Sequence, residues 1–325
     1  MKIVITAGDC NGIGIEVLTK ALAEISFNAI DFTLCCNKKT VAEYAAKMNL
    51  DINISDNYAV VGNKKCEILE CDTVAPVHFG KTTLEAGTLA LEQLERAISS
   101  LSKGKFDALV TMPVSKAALQ LAGWEFPGQT EMLAARFGGE PLMILATGNV
   151  RVALQTIHIP ISNITSAINQ ENIYKKIIQF NTALKMDFEI KHPKIAVLGL
   201  NPHAGEAGHI GKEEIDIISP AIIFTKNMGI EVFGPFPADG FFAFGDYLGY
   251  DGILAMYHDQ GLIPLKLLAH GGGVNITAGL SAVRISPDHG TAFGIAGLGK
   301  ADSASTKETL QMAVNIAKAR KQYDL

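Results

Sequence analysis

The chain alternates short apolar runs with segments in which apolar residues recur at helical spacing. Residues 2–7 (KIVITA), 106–111 (FDALVT) and 252–257 (GILAMY) are runs of about the length of a β-strand. Strands that are apolar along their whole length are buried on both faces, as in parallel or mixed sheets covered by helices. The pattern therefore predicts an α/β fold.

Local signals predict where several of the helices and turns lie. Thr82 and Glu85 form a capping-box pattern at the start of one helix, which Gly104 is expected to end. The apolar runs on either side of Gly148 and Asn149 predict a hairpin or a tight connection. Three further helices are predicted, over about 164–185, 213–228 and, capped by Ser305 with Glu308, 305–320.

Length and composition bound the class of protein. The chain has 325 residues, of which 48% are hydrophobic and 19% charged, with a net charge of −5. These values are typical of a globular protein and argue against a general nucleic-acid or anionic-membrane partner. No internal repeat or linker marks a domain boundary. We therefore expect one bilobed catalytic unit, 1–325, whose lobe boundaries the sequence does not give.

The amino-terminal segment and the cysteines indicate the compartment. The first apolar run is too short for a secretory signal, and no apolar stretch reaches the roughly 20 residues of a spanning helix. The five cysteines form no C-x-x-C pair and are odd in number, which favours reduced thiols. A cytoplasmic protein is therefore expected.

Three histidines lie directly behind short apolar runs: His158, His203 and His258. Loops at the carboxyl ends of strands line the crevice of an open α/β sheet, where catalytic groups are placed. Three imidazoles with no cysteine nearby would make a divalent metal site with room for substrate. A lone histidine in a sharp turn is more often a hydrogen-bonding residue, and His209 competes with His203. The remaining histidines considered are predicted to be structural or surface residues: His78, His192 and His270.

Other polar positions are suited to anions. Lys266, Asn275 and Arg284 together would suit a phosphate, and Gln129 and Thr130 could begin a helix that donates to one. An ordinary helix cap or a solvated lysine is the alternative for each residue taken alone.

Two glycine-rich segments could approach a ligand closely. Gly8–Glu16 follows a strand but is neither the G-x-G-x-x-G fingerprint nor a P-loop, so a plain tight turn is an equal alternative. Residues 288–302 contain four glycines and could cradle a nucleotide, although a mobile surface loop is the alternative.

Taken together, these segments resemble the 4-hydroxythreonine-4-phosphate dehydrogenase family of vitamin B6 biosynthesis. The most specific pieces are AMYHDQGLIPLKLL and VNITAGL with SPDHGTA, followed by NPHAGE and FPGQTE. The resemblance implies an isocitrate/isopropylmalate dehydrogenase-like fold, with two α/β/α lobes and a central cleft. It also implies a homodimer with a shared active site, NAD or NADP, and one divalent metal, with zinc, magnesium or cobalt usual.

The resemblance also implies roles for particular residues. The metal ligands would be His158, His203 and His258, the last supplied by the partner subunit. The substrate phosphate would contact Gln129, Thr130, Lys266, Asn275 and Arg284. The cofactor would lie along Asp288, Gly290, Thr291, Gly297, Gly299 and Asp302. Asp239 and Asp259 are both candidates for the proton acceptor.

The implied reaction is oxidation and decarboxylation of 4-phosphooxy-L-threonine to 3-amino-2-oxopropyl phosphate. The chain departs from the family pattern at Gln129, where histidine is usual, and at Gly294, where an acidic residue is usual. Gln129 can donate a hydrogen bond but cannot become cationic. Three alternatives remain: a dehydrogenase of threonate or erythronate 4-phosphate, a phosphate acyltransferase, and a non-catalytic binding protein.

Overall fold

The computed structural model describes residues 1–27, 29–62 and 64–323. It divides into two compact units. Unit 1 contains Met1–Pro141 and Leu280–Ala317, and unit 2 contains Leu142–Gly279 and the chain from Lys318. Within the described ranges, no helix is long and apolar enough to cross a membrane.

The strands and helices alternate along most of the chain. The strands are Lys2–Thr6 (β1), Asp31–Cys36 (β2), Ile52–Ile54 (β3), Tyr58–Val61 (β4), Lys64–Glu70 (β5), Ala108–Thr111 (β6), Leu142–Thr147 (β7), Val150–Leu154 (β8), Ile195–Leu198 (β9), Val232–Phe236 (β10), Gly252–Ala255 (β11), Val274–Ala278 (β12) and Arg284–Pro287 (β13). The helices are Gly14–Glu24 (α1), Lys38–Met48 (α2), Leu84–Ser102 (α3), Lys116–Leu121 (α4), Gln129–Phe137 (α5), Ile164–Ala167 (α6), Gln170–Met186 (α7), Ser219–Asn227 (α8), Ala238–Ala243 (α9), His258–Ala269 (α10) and Ala304–Tyr323 (α11).

The sheet of unit 1 has the strand order β13-β6-β1-β2-β5-β4-β3. Its first five strands run parallel, and β4 and β3 are antiparallel to their neighbours. The apolar residues Ile3, Val4 and Ile5 of β1 are almost completely buried, as a strand covered on both faces requires. The α/β class predicted from the apolar runs is confirmed.

The sheet of unit 2 has the order β10-β9-β11-β8-β7-β12. The strands β10, β9, β11 and β8 run parallel, so their carboxyl ends lie along one edge. Strands β7 and β8 form an antiparallel hairpin across Gly148 and Asn149, which confirms the predicted connection. The buried core of this unit includes Leu154, Leu198 and Phe241.

Several predicted boundaries are wrong in detail. Thr83 caps α3 by accepting from the Ala86 N–H, so the cap lies one residue after Thr82. The helix predicted over 164–185 is broken in two, because the Asn169 side chain caps the second part. The segment 213–228 opens with a π-helical turn before α8. Helix α11 begins at Ala304, so Ser305 lies within its first turn and not at the cap position, and the Ser305 hydroxyl accepts from the Asp288 N–H.

Candidate functional site

The three candidate metal ligands follow three adjacent parallel strands of unit 2. His158 comes after β8, His258 after β11 and His203 after β9, and these strands are neighbours in the order β9-β11-β8. Because the strands run parallel, the loops that carry the histidines leave the same edge of the sheet. Histidines that are 45 and 55 residues apart along the chain therefore lie on neighbouring loops.

Two of the three imidazoles lie side by side in one chain. The ring centroids of His158 and His258 are 5.8 Å apart, with the planes inclined by 42°. With metal–nitrogen bonds of about 2.0–2.1 Å, two rings at this separation could bind one ion between them. No group of three histidine, cysteine, aspartate or glutamate side chains in the described part of the chain could hold a metal. His158 and His258 are two imidazole donors of the type that divalent ions bind, and the participation of His203 as a third ligand stays a prediction.

Asp259 pairs with the candidate ligand next to it. Its Oδ1 lies 2.7 Å from Nδ1 of His258. A carboxylate on one ring nitrogen fixes the orientation of a ligating histidine and leaves the other nitrogen for the metal. The other proposed proton acceptor, Asp239, lies exposed in the first turn of α9, directly after the edge strand β10. Asp239 therefore follows a fourth strand at the same edge.

Hydrogen bonds tie the three histidine loops together. The Thr156 N–H and hydroxyl both donate to the Met256 carbonyl, at 3.2 and 2.7 Å, and so join the loops after β8 and β11. Gln260 accepts from the Met256 N–H at 2.7 Å and donates to the Gly199 carbonyl at 2.6 Å. It thus joins the loops after β11 and β9. The sequence interpretation missed Gln260, although it lies in the YHDQG segment that already contained two candidates.

Unit 1 buries a cation at the edge of its sheet. Arg284 lies on β13 and donates to the Thr111 hydroxyl from Nε and Nη2, at 3.1 and 2.7 Å. Nη2 also donates to Oε1 of Gln129 at 2.8 Å. Burial lowers the pKa of Arg284 to about 10, because desolvation penalises the charged form. The guanidinium is still charged at neutral pH. Thr111 ends β6, and its place in a polar segment directly after a buried strand is the sequence signal that marks it.

The other predicted phosphate contacts are divided between the units. Gln129 and Thr130 open α5, whose N-cap residue, Gly128, has no side chain to satisfy the first N–H groups. Because Gln129 Oε1 accepts from Arg284, its amide nitrogen is left for a different acceptor. In unit 2, Lys266 is exposed on α10 and Asn275 is half-buried on β12.

Of the candidate cofactor residues in unit 1, some glycines face open space and another packs against a neighbouring ring. At Gly290 and Gly299 an added Cβ would meet nothing within 4 Å, so their backbone faces open space. At Gly297 a Cβ would lie 2.6 Å from the Phe79 ring, which gives that glycine a packing role. The Thr291 carbonyl accepts from the Ile13 N–H at 3.1 Å, so the first glycine loop packs on this segment.

The two aspartates of this segment engage the start of α11. Asp302 Oδ1 accepts from the Ala304 N–H at 2.8 Å, and the Asp288 N–H donates to Ser305. Farther along the loop, Lys20 donates to the Gly299 and Ala301 carbonyls, at 3.1 and 2.8 Å, and pairs with buried Glu16 at 2.7 Å. These hydrogen bonds tie both ends of the segment to α1 and α11.

Comparisons with known proteins show the family to which the chain belongs. Residues 28–313 match the family model for "pyridoxal phosphate biosynthetic protein PdxA". A 4-hydroxythreonine-4-phosphate dehydrogenase of Bacteroides thetaiotaomicron is 42% identical over 98% of this chain and 90% of its own length. One from Sulfurihydrogenibium sp. is 40% identical over 99% of this chain and all of its own. The crystal structure of the Klebsiella pneumoniae enzyme of the same name has a TM-score of 0.83 at 37% identity, covering 97% of this chain and 98% of that one. The chain therefore belongs to the family of the pyridoxal phosphate biosynthetic protein PdxA.

Proposed function

We propose that this protein is a 4-hydroxythreonine-4-phosphate dehydrogenase. It would oxidise and decarboxylate 4-phosphooxy-L-threonine to 3-amino-2-oxopropyl phosphate with NAD or NADP and one divalent metal. The relatives that carry this name span nearly the whole chain at 36–42% identity. The observation that carries the proposal is the placement of three histidines after three adjacent parallel strands.

His158, His203 and His258 would hold the metal, which is zinc, magnesium or cobalt. Lewis-acid polarisation of the substrate hydroxyl is the chemistry that a bound divalent ion supplies there. The bond from Asp259 to His258 Nδ1 supports this role, because it presents the remaining ring nitrogen as a ligand. Asp259 would thereby act through His258. We therefore propose Asp239 as the group that accepts the hydroxyl proton.

Arg284 would bind the substrate phosphate, together with Gln129 and Thr130. Its guanidinium is buried and positively charged, and it donates to two neutral acceptors, the Thr111 hydroxyl and the Gln129 amide oxygen. A buried guanidinium beside a helix N-terminus favours a phosphoester over a neutral substrate. The exposed Lys266 and the half-buried Asn275 are proposed to add a second cation and an amide. Fixing the phosphate end orients the carbon that is oxidised.

The nicotinamide cofactor would lie along residues 288–302, where the open backbone at Gly290 and Gly299 permits close approach. Hydride acceptance is the chemistry that it supplies. The contacts of Asp288 and Asp302 with the start of α11 support a fixed shape for this segment.

We further propose a homodimer with a shared active site. Helix α10 begins at His258 and exposes Ile263 and Leu267, which are 58% and 70% accessible. Phe244 and Leu248 are also exposed, at 86% and 75%. Contiguous exposed apolar patches mark interaction sites, and Ile263 and Leu267 lie four residues apart on the same helix. A partner on α10 would lie beside the candidate metal ligand that opens this helix.

The proposal is tested by steady-state assay of the purified protein. We expect NADH and CO₂ to form from 4-phosphooxy-L-threonine with Zn²⁺, Mg²⁺ or Co²⁺, and little product from threonate or erythronate 4-phosphate. Chelation should abolish turnover and added metal should restore it, and His203→Ala should abolish it without unfolding the protein. Full activity in metal-free buffer, or a preference for the substrates that lack the amino group, would contradict the proposal.

A further inference from the structure

The loop that carries His203 has an unusual backbone. His203, Ala204, Gly205, Glu206 and Ala207 have φ values of 54°, 50°, 80°, 42° and 54°, all in the left-handed region. Only one of these five is a glycine, and each other residue is strained there because its Cβ crowds the following carbonyl oxygen. Such a conformation persists only where the surrounding structure holds it in place.

Glu214 holds the beginning of this loop. Its carboxylate is almost completely buried. One oxygen accepts from the N–H groups of Leu200 and Asn201, both at 2.7 Å, and the other accepts from the Asn201 amide at 3.0 Å. Hydrogen bonds to an ionised acceptor are roughly twice as strong as neutral ones. Leu200 and Asn201, which lie just before Pro202 and the strained turn, are therefore held by one buried side chain.

The turn itself closes around the same carboxylate. A Cβ at Gly205 would lie 2.5 Å from Oε2 of Glu214, and one at Gly199 would lie 3.2 Å from Oε1. Glu214 also opens the π-helical turn Glu214–Ile218, a geometry found frequently at functional sites. Glutamate at this position thus fills the centre of the loop, and no larger residue at 205 could share the space.

We infer that Glu214 is a positioning residue for His203: it keeps the strained turn in the one conformation that presents this imidazole to the metal. The inference rests on the proposed function, in which His203 is a ligand. It assigns a role to a buried carboxylate that is itself outside the ligand set. Residues that orient a ligand in this way commonly change metal affinity by about 10–100-fold when they are replaced.

The test is the metal affinity of metal-free protein, measured by competition with a chromophoric chelator. Glu214→Gln keeps the size of the side chain but replaces one acceptor oxygen with an NH₂ group, which in one orientation faces the backbone N–H groups of Leu200 and Asn201 and in the other faces the Asn201 side-chain amide. We expect its Kd for Zn²⁺ to rise by about 10–100-fold and the visible spectrum of the Co²⁺ form to change. The control is Glu171→Gln, a carboxylate of the same unit that is 62% accessible and pairs with Lys175. It should bind as the wild type does.

Gly205→Ala provides an independent variant, because it displaces the same carboxylate without altering its charge. We expect Gly205→Ala to weaken Zn²⁺ binding as well. If Glu214→Gln does not fold, the Zn²⁺ affinity of Gly205→Ala tests the positioning role. The positioning role alone would be overturned if His203→Ala bound Zn²⁺ more weakly but a folded Glu214→Gln or Gly205→Ala variant kept the wild-type Kd and Co²⁺ spectrum. Wild-type affinity in His203→Ala would instead overturn the metal site of the proposed function.

Discussion

Arg284 shows how one residue combines burial, charge and a defined set of partners. Its hydrogen bonds to Thr111 and Gln129 fix the guanidinium, and burial lowers its pKa to about 10. The charged form is the one that binds phosphate. Because this form predominates below the pKa, substrate affinity should be retained from neutral pH to about 9 and be lost as the pH rises through about 10. Gln129, which cannot be protonated, adds no further transition near pH 6.5.

Replacing Arg284 with lysine should weaken binding of the phosphorylated substrate. Lysine retains a charge but lacks the planar fork, and it cannot reproduce the paired bonds to Thr111 and Gln129. We expect Arg284→Lys to raise KM on the order of 10–100-fold, the loss of one or two charge-assisted bonds. Arg136→Lys, at an exposed position in α5, is the matched control. Equal KM values for the two variants would contradict the phosphate role of Arg284.

Asp239 should affect turnover more than binding. Replacement by asparagine removes the proposed proton acceptor but keeps the shape of the side chain, so kcat should fall by about 10²–10⁴-fold with little change in KM. Steady-state kinetics with NADH detection measures both constants. If Asp239→Asn keeps the wild-type kcat, the proton is accepted by a different group.

At the scale of single elements, mutation can test whether Thr82 or Thr83 caps α3. Thr83 accepts from the Ala86 N–H at 3.2 Å and also receives the Asn11 amide at 3.2 Å. Thr83→Ala should therefore lower the free energy of unfolding by about 1–2 kcal/mol, whereas exposed Thr82→Ala should change it by less than about 0.5 kcal/mol. Denaturant titration compares the two. A larger loss of unfolding free energy in Thr82→Ala than in Thr83→Ala would show that Thr82 is the cap, as the capping-box pattern predicted.

The sequence predicted elements well where one signal dominated. Fully apolar runs gave β1, β6 and β11, and the Gly148–Asn149 pair gave the β7–β8 hairpin. Boundaries failed where two signals competed, since either Thr82 or Thr83 could cap α3. The break between α6 and α7 depends on the Asn169 side chain, which an apolar periodicity does not register. The left-handed turn after His203 also had no local signal, because only one of its five residues is glycine.

The sequence identified the candidate ligands because each histidine follows a predicted strand. It did not give the order of the strands in the sheet. The neighbours β9, β11 and β8 are far apart along the chain, and their adjacency depends on tertiary packing. Gln260 and Glu214 were missed for the same reason. Gln260 bonds to the loop that follows another strand, and Glu214 bonds to backbone groups 13–14 residues away.

At the scale of the whole molecule, the proposed dimer can be tested by mixing inactive variants. His258→Ala and His203→Ala should each be inactive. If His258 acts in the partner's site, a mixed dimer contains one complete set of ligands, so an equal mixture exchanged between subunits should recover about a quarter of wild-type activity. Light scattering after chromatography measures the oligomeric state, which we expect to be a dimer. Absence of recovery despite subunit exchange would place all three ligands in one chain.

The central claim is that His158, His203 and His258, each of which follows one of three adjacent parallel strands, are the ligands of one divalent cation. The most direct measurement is an anomalous difference map from crystals of the zinc-loaded protein, collected on either side of the zinc absorption edge. We predict one strong peak within about 2.0–2.2 Å of a ring nitrogen of His158, of His203 and of a His258 from the same or the partner subunit. A peak bound elsewhere, or one that His203 does not contact, would contradict the account.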